Sequence, residues 1–204
     1  MAQPRTAVFT GDSITDCGRR DDPARLGSGY VRDLAHHEAM QGYTVINTGV
    51  GGDRVADVLE RVDEAVVRHE PELVSLLVGI NDTWRRYDSD DPTSESEFSD
   101  RYEAVLQRIV SPGRRLVLVE PFLVAVTVAQ WGWRADLDPK IEVVRRLAEQ
   151  YGAALVPADG ALRSAADEYG PERIAADGVH PTALGHRLLA NAWIDTIVTA
   201  DVAL

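Results

Sequence analysis

The residues of this 204-residue chain best suited to covalent chemistry lie near its two ends. Ser13 stands in Gly11-Asp12-Ser13-Ile14-Thr15, directly after a short apolar run, and Asp177-Gly178-Val179-His180-Pro181 puts a carboxylate three residues before an imidazole. A serine hydroxyl is a weak nucleophile at neutral pH. It needs a base within hydrogen-bond reach and a third group that holds that base in the correct tautomer. One short turn carrying Asp177 and His180 can supply both, which points to nucleophilic acyl transfer.

Acyl transfer also needs donors aimed at the oxyanion that develops during attack, each worth about 2.7–4 kcal/mol when removed. Three are available: the Ser13 backbone N–H, a glycine N–H from Gly51 or Gly52, where no Cβ interferes, and the side-chain amide of Asn81. Taken singly these signals are unspecific. A Gly-Asp-Ser turn is usually a plain loop, and an Asn or Asp after a strand usually caps the next helix. Their joint placement carries the weight.

That placement depends on the elements around them. Short apolar runs at Thr6–Thr10, Thr44–Asn47, Leu73–Val78, Leu116–Val119 and Ala153–Val156 alternate with longer amphipathic stretches. This is the pattern of a parallel sheet covered by helices on both faces. Helical spacing is visible in Val55, Val58, Leu59, Val62 and Val66, and over Tyr30–Met40, Glu97–Val110, Pro139–Tyr151 and Thr182–Val198. The expectation is therefore an α/β protein with three layers, α/β/α, around five parallel strands. Ligands of such sheets collect at the carboxyl ends of the strands. GDSIT follows the first run, NTGVGGD the second and GIND the third, so all three face one crevice, with the Asp177/His180 pair just before the last helix. The acidic stretch 88–100 reads as a solvated loop ending in a helix start, because Ser94 and Glu97 have capping-box spacing.

Blocks GDSIT (11–15), NTGVGGD (47–53), GIND (79–82) and DGVHP (177–181) occur in the order of the SGNH (GDSL-type) hydrolase family, which the chain resembles over nearly its whole length. The resemblance implies a flavodoxin-like SGNH hydrolase fold. It makes Ser13 the nucleophile, His180 the general base and Asp177 its partner, and it places Gly52 and Asn81 with the Ser13 N–H in the oxyanion hole. Gly52 is preferred to Gly51 because it directly precedes Asp53, as the family's second block usually reads. Longer stretches, GDSITDCGR (11–19), LGSGYV (26–31) and GINDTWRRYD (79–88), resemble the intracellular bacterial acetylxylan esterases of this family. The implied activity is removal of acetyl groups from xylan fragments through an acetyl-enzyme. The alternative is a broader short-chain carboxylesterase, thioesterase or lysophospholipase, since the same triad cleaves any small acyl ester; the lack of a long apolar lid segment weakens the lipase version.

A sugar substrate agrees with the tryptophans. Trp84 follows GIND, and Trp131 and Trp133 follow the fourth strand, so these rings are read as lying in loops on the active face, where they can pack on pyranose rings. The competing reading for Trp131 and Trp133 is core or subunit interface, because the preceding PFLVAVTVAQ is strongly apolar, and it leaves a homo-oligomer open. Trp193 and His186, in the last helix, read as packing residues, Cys17 as a buried inert thiol, and His36 and His37 as surface or interface histidines rather than metal ligands. Asp12 is assigned to support of the nucleophile, since adjacent side chains in a turn point apart.

The remaining features exclude rather than assign. The cluster Gly49, Gly51, Gly52 is not a dinucleotide fingerprint: Arg54 stands at the third glycine position, and the cluster follows the second strand instead of the first. A non-catalytic descendant of the fold is expected to lack Ser13, His180 or Asn81, and all are present. The 33 acidic against 21 basic residues, a formal charge of -12, repel nucleic acid and anionic lipid and favour a small neutral substrate, which the resemblance implies is an acetylated sugar. The one cysteine rules out an internal disulfide. The expectation is a single domain over 1–204, with no metal or other cofactor, no secretion signal in MAQPRTAVFTGDS, no apolar run long enough to span a bilayer, and a cytoplasmic location.

Overall fold

A computed structural model describes residues 5–199. Strands β1 (Arg5–Gly11), β2 (Tyr43–Asn47), β3 (Leu73–Leu77), β4 (Arg115–Val119) and β5 (Ala154–Val156) form one sheet, all pairs parallel, in the order β2-β1-β3-β4-β5. Each lies within one residue of its expected bounds. The helices are α1 (Ser13–Asp16), α2 (Tyr30–Ala35), α3 (Val55–Ala65), α4 (Ile80–Asp88), α5 (Glu95–Ile109), α6 (Val128–Trp131), α7 (Arg134–Tyr151), α8 (Ala158–Tyr169), α9 (Pro171–Ile174) and α10 (Ala183–Thr199).

Side chains alternate across a strand, so an apolar run feeds two cores at once. Ala7, Phe9, Leu73, Leu77, Val117 and Val119 join the core beneath α2, α8 and α10, while Val8, Val74, Leu76, Leu116 and Leu118 join the one beneath α3, α5 and most of α7. Ser75, the polar residue inside β3, is buried in the first core, and its hydroxyl accepts the Trp193 Nε1–H at 3.1 Å. Trp193 is thus a core residue, as expected. The strand order reverses between β1 and β3, which opens a crevice at their carboxyl ends.

The helices depart further from expectation. The stretch Tyr30–Met40 does not run through: α2 stops at Ala35, and a 3₁₀ turn follows over Glu38–Met40, started by His37, whose Nδ1 accepts the Ala39 N–H. Helix α7 starts five residues before Pro139, with the proline inside it. A proline there removes one backbone bond, but the first turn is held by Arg134 on Asp159 at 2.7 and 2.9 Å and by Arg86 and Lys140 on Asp136. The 80s form helix α4 rather than a loop, and α8 and α9 fill a stretch with no expected element. Alanines supply most of α8's inward face. Helix α5 begins at the capping box read from the sequence: Ser94 Oγ accepts the Glu97 N–H at 3.2 Å and Glu97 Oε2 accepts the Ser94 N–H at 3.0 Å.

Candidate active site

The turn from β1 into α1 presents Ser13. Gly11 has φ +148°, and a Cβ there would lie 1.9 Å from the Leu77 carbonyl oxygen, so only glycine lets β1 pass so close to β3. Asp12 caps the helix, its Oδ1 accepting the Ile14 N–H at 3.0 Å, which leaves Ser13 as the first helical residue. Ser13 Oγ lies 2.9 Å from His180 Nε2, across 167 residues of sequence. On the other side of the ring, His180 Nδ1 lies 2.6 Å from Asp177 Oδ2.

The loop bearing that pair is organised by the carboxylate itself. Asp177 Oδ1 accepts the backbone N–H groups of Val179 and His180, at 2.9 and 2.7 Å. Partial burial raises the Asp177 pKa, but the hydrogen bonds from the imidazole and from these two N–H groups outweigh it and hold the carboxyl below its ordinary range. An ionised Asp177 fixes the proton of a neutral His180 on Nδ1 and leaves the Nε2 lone pair for the Ser13 hydroxyl. Gln130, which sequence reasoning passed over, braces the loop: its Nε2 donates to the Asp177 carbonyl at 2.7 Å and its Oε1 accepts the Val126 N–H. The usable signal was Thr127-x-x-Gln130, a capping box that starts α6.

The three expected oxyanion donors come from three separate segments. Among the described residues, the Ser13 and Gly52 N–H groups donate to no protein atom, whereas the Gly51 N–H is taken by Asp16 Oδ2 at 3.0 Å. This favours Gly52 over Gly51, and Gly52, at φ +88°, has no heavy atom within 4 Å of where a Cβ would stand. Asn81 sits in the first turn of α4 and is 2% exposed; its Nδ2 donates one proton to the Asp53 carbonyl at 3.0 Å. An amide nitrogen carries two protons, so one is left for an oxyanion.

Two carboxyls lie behind these donors. Asp12 and Asp82 are fully buried, with Asp12 Oδ2 and Asp82 Oδ1 lacking hydrogen-bond partners among the described residues. Burial pushes Asp12 up to about 7, against the pull of the Ile14 N–H and helped by the charges of Asp82 and Asp53. Burial likewise pushes Asp82 up to about 6, although its Oδ2 accepts the Val55 N–H at 3.1 Å. Asp12 holds the turn that carries Ser13 through its cap on the Ile14 N–H.

The tryptophans divide. Trp84 is part-buried on α4, with its ring centroid 5.9 Å from that of His180. Trp131, at the end of α6, is 56% exposed and lines a cleft of about 240 Å³ with Val124, Ala125, Arg163 and Pro171. That cleft adjoins the loop that carries Asp177 and His180, since the Val124 N–H donates to the Gly178 carbonyl. The expectation of an open sugar platform at Trp133 is corrected. It is 9% exposed, stacked 5.1 Å from Tyr87 and 5.8 Å from Trp84, because its ring closes the core where α7 begins.

Cys17 is only part-buried, 3.4 Å from His186 Nε2, rather than fully enclosed. His186 packs as expected, accepting the Tyr30 N–H on Nδ1; burial, with a contribution from His180, lowers its pKa to about 4. Among the described residues no three His, Cys, Asp or Glu side chains are grouped to hold a metal ion, and no helix is long and apolar enough to cross a membrane.

The chain is similar to known proteins over most of its length. Residues 9–188 match the model of the GDSL-like lipase/acylhydrolase family. An acetylxylan esterase of Geobacillus stearothermophilus is 34% identical, over 93% of this chain and 92% of its own. The crystal structure of Axe2, an acetylxylan esterase from the same organism, superposes with a TM-score of 0.84 at 30% identity, covering 95% of this chain and 94% of that one. LAE5, an alpha/beta hydrolase from the metagenome of Lake Arreo, Spain, gives 0.85 at 28% identity, with 96% of each chain covered.

Proposed function

The chain belongs to the GDSL-like lipase/acylhydrolase family and is a carboxylic ester hydrolase, and from that premise we propose that it removes acetyl groups from acetylated xylo-oligosaccharides through an acetyl-enzyme. The observation that carries the reading is the unbroken line Ser13 Oγ, His180, Asp177, at 2.9 and 2.6 Å. The likeness to acetylxylan esterases over nearly the whole chain supports the choice of acyl group and alcohol.

In the reaction, His180 Nε2 takes the hydroxyl proton as Ser13 Oγ bonds to the acetyl carbon. The carbonyl electron pair moves onto oxygen, and the resulting anion rests on the Ser13 and Gly52 N–H groups and the second Asn81 amide proton. Asp177 stabilises the imidazolium without taking its proton. The tetrahedral species then collapses, the bond to the sugar oxygen breaks, and the imidazolium proton goes to that oxygen. Water, deprotonated by the same imidazole, adds to the acetyl-enzyme, and acetate leaves as Ser13 regains its proton. The Trp84 ring beside His180 and the exposed Trp131 border the path by which a sugar leaving group enters.

The test compares acetate release from acetylated xylo-oligosaccharides with hydrolysis of p-nitrophenyl esters of increasing chain length. Acetyl esters should be preferred; a clear preference for chains beyond about eight carbons would overturn the proposal in favour of a lysophospholipase or thioesterase.

A further inference from the structure

Arg61 belongs to none of the four motif blocks, yet it touches two of the loops that carry them. It projects from the middle of α3, and three of its donors are engaged: Nε with Asp53 Oδ2 at 2.6 Å, Nη1 with the Thr48 carbonyl at 2.8 Å and Nη2 with the Gly11 carbonyl at 3.0 Å. Gly11 leads into Asp12 and Ser13. Asp53 follows Gly52, and its carbonyl is the acceptor of Asn81 Nδ2. The Asp53 N–H is fixed as well, donating to the Val50 carbonyl at 3.2 Å. Every segment that supplies an oxyanion donor is therefore joined to the next through one guanidinium or the aspartate it holds. We propose that Arg61 is a positioning residue for the oxyanion hole, setting the Gly11–Ser13 turn and the Gly52–Asp53 turn in register so that the Ser13, Gly52 and Asn81 donors converge.

A planar guanidinium reaches three acceptors in fixed directions, whereas an ammonium is a point charge that satisfies them incompletely. Burial holds the Asp53 carboxyl above its ordinary range, against the pull of the Arg61 hydrogen bond and charge. Donor placement is unforgiving: a shift of about 1 Å can cost about a hundredfold in rate.

The inference rests on the oxyanion roles proposed for Asn81 and Gly52, and the experiment separates the two. Arg61→Lys, Asn81→Ala and the double variant are assayed with p-nitrophenyl acetate, which needs no sugar contacts, and thermal melting is recorded for each. Arg61→Lys should lower kcat by about 10- to 100-fold with KM within about threefold, and in the Asn81→Ala background it should cost at least about threefold less, because groups acting as a unit are not additive. A kcat within about threefold of the parent, or an equal loss in both backgrounds, overturns the proposal. If Arg61→Lys does not fold, Asp53→Asn takes its place in the cycle, since the amide keeps an oxygen for Arg61 and the backbone carbonyl for Asn81; additivity with Asn81→Ala again overturns it. Loss of less than tenfold in Asn81→Ala alone removes the hole assignment itself, a different failure from additivity.

Discussion

Asp177 and His180 leave 49% and 45% of their side chains exposed, whereas Asp12, Asn81 and Asp82, behind the oxyanion donors, are at most 2% exposed. The proposed acid–base half of the site is a single turn whose carboxylate collects its own loop's N–H groups, and burial is hardly asked of it. The proposed oxyanion half is drawn from three segments of chain, with Ser13 part-buried, Gly52 exposed and Asn81 buried, and the segments are tied together beneath the donors by bonds from Arg61 and Asn81. The difference reflects two tasks. A base must exchange protons with water and substrate, so it is reachable; donors for a transient anion work through preorganisation, which burial and cross-loop bonds provide.

Where the halves meet, at Ser13, the largest effect is expected. Ser13→Ala should lower kcat by about 10⁶-fold with the fold intact by circular dichroism, since loss of the triad serine disables the whole unit; substantial turnover would place the nucleophile elsewhere. On the exposed half, Asp177→Asn keeps an oxygen for the Val179 and His180 N–H groups but turns an amide toward Nδ1 and forces the wrong tautomer. The expected loss in kcat is about 10⁴-fold, and a loss under about tenfold would mean that the turn alone orients His180. On the buried half, Asn81→Ala should cost about 10²–10³ in kcat, the scale of one oxyanion donor, read from steady-state rates on an acetyl ester.

The smallest effect is on stability and has opposite sign in the two halves. Asp12 is raised from 3.8 to about 7, so the folded state holds its proton more tightly; the stability it lends is complete below about 4 and is lost as pH rises through 7. Asp177, lowered in the folded state, lends stability above its ordinary range and loses it as pH falls. Asp12→Asn retains the cap on Ile14 and should gain Tm relative to the parent as pH goes from 5 to 8, whereas Asp177→Asn should lose its deficit on acidification. Parallel melting curves for Asp12→Asn and the parent across that range would show that the buried carboxyl does not titrate there.

Much of this was legible in the sequence, and the reason is local. The alternating apolar runs specify buried parallel strands, and each strand's bounds follow from its own residues. The Asp177/His180 pair is readable because its members share one turn, and the α5 capping box because it spans four residues. The start of α7 departs from the sequence pattern because long-range contacts override a contrary local signal at Pro139, which sits inside a helix anchored by Arg134 on Asp159. For Trp133 the sequence leaves an open platform and the core as competing readings, and only packing against Tyr87 and Trp84 decides for the core.

The sequence by itself determined the strands, the chemistry-bearing blocks and their order. Tertiary structure alone decided that Ser13 meets His180 across 167 residues, that the Gly51 N–H is occupied while the Gly52 N–H donates to no described protein group, and that Arg61 ties the loops together. Local pattern fixes an element through the bonds and burial it needs for itself, whereas the distance between two distant side chains is set only when the elements between them pack.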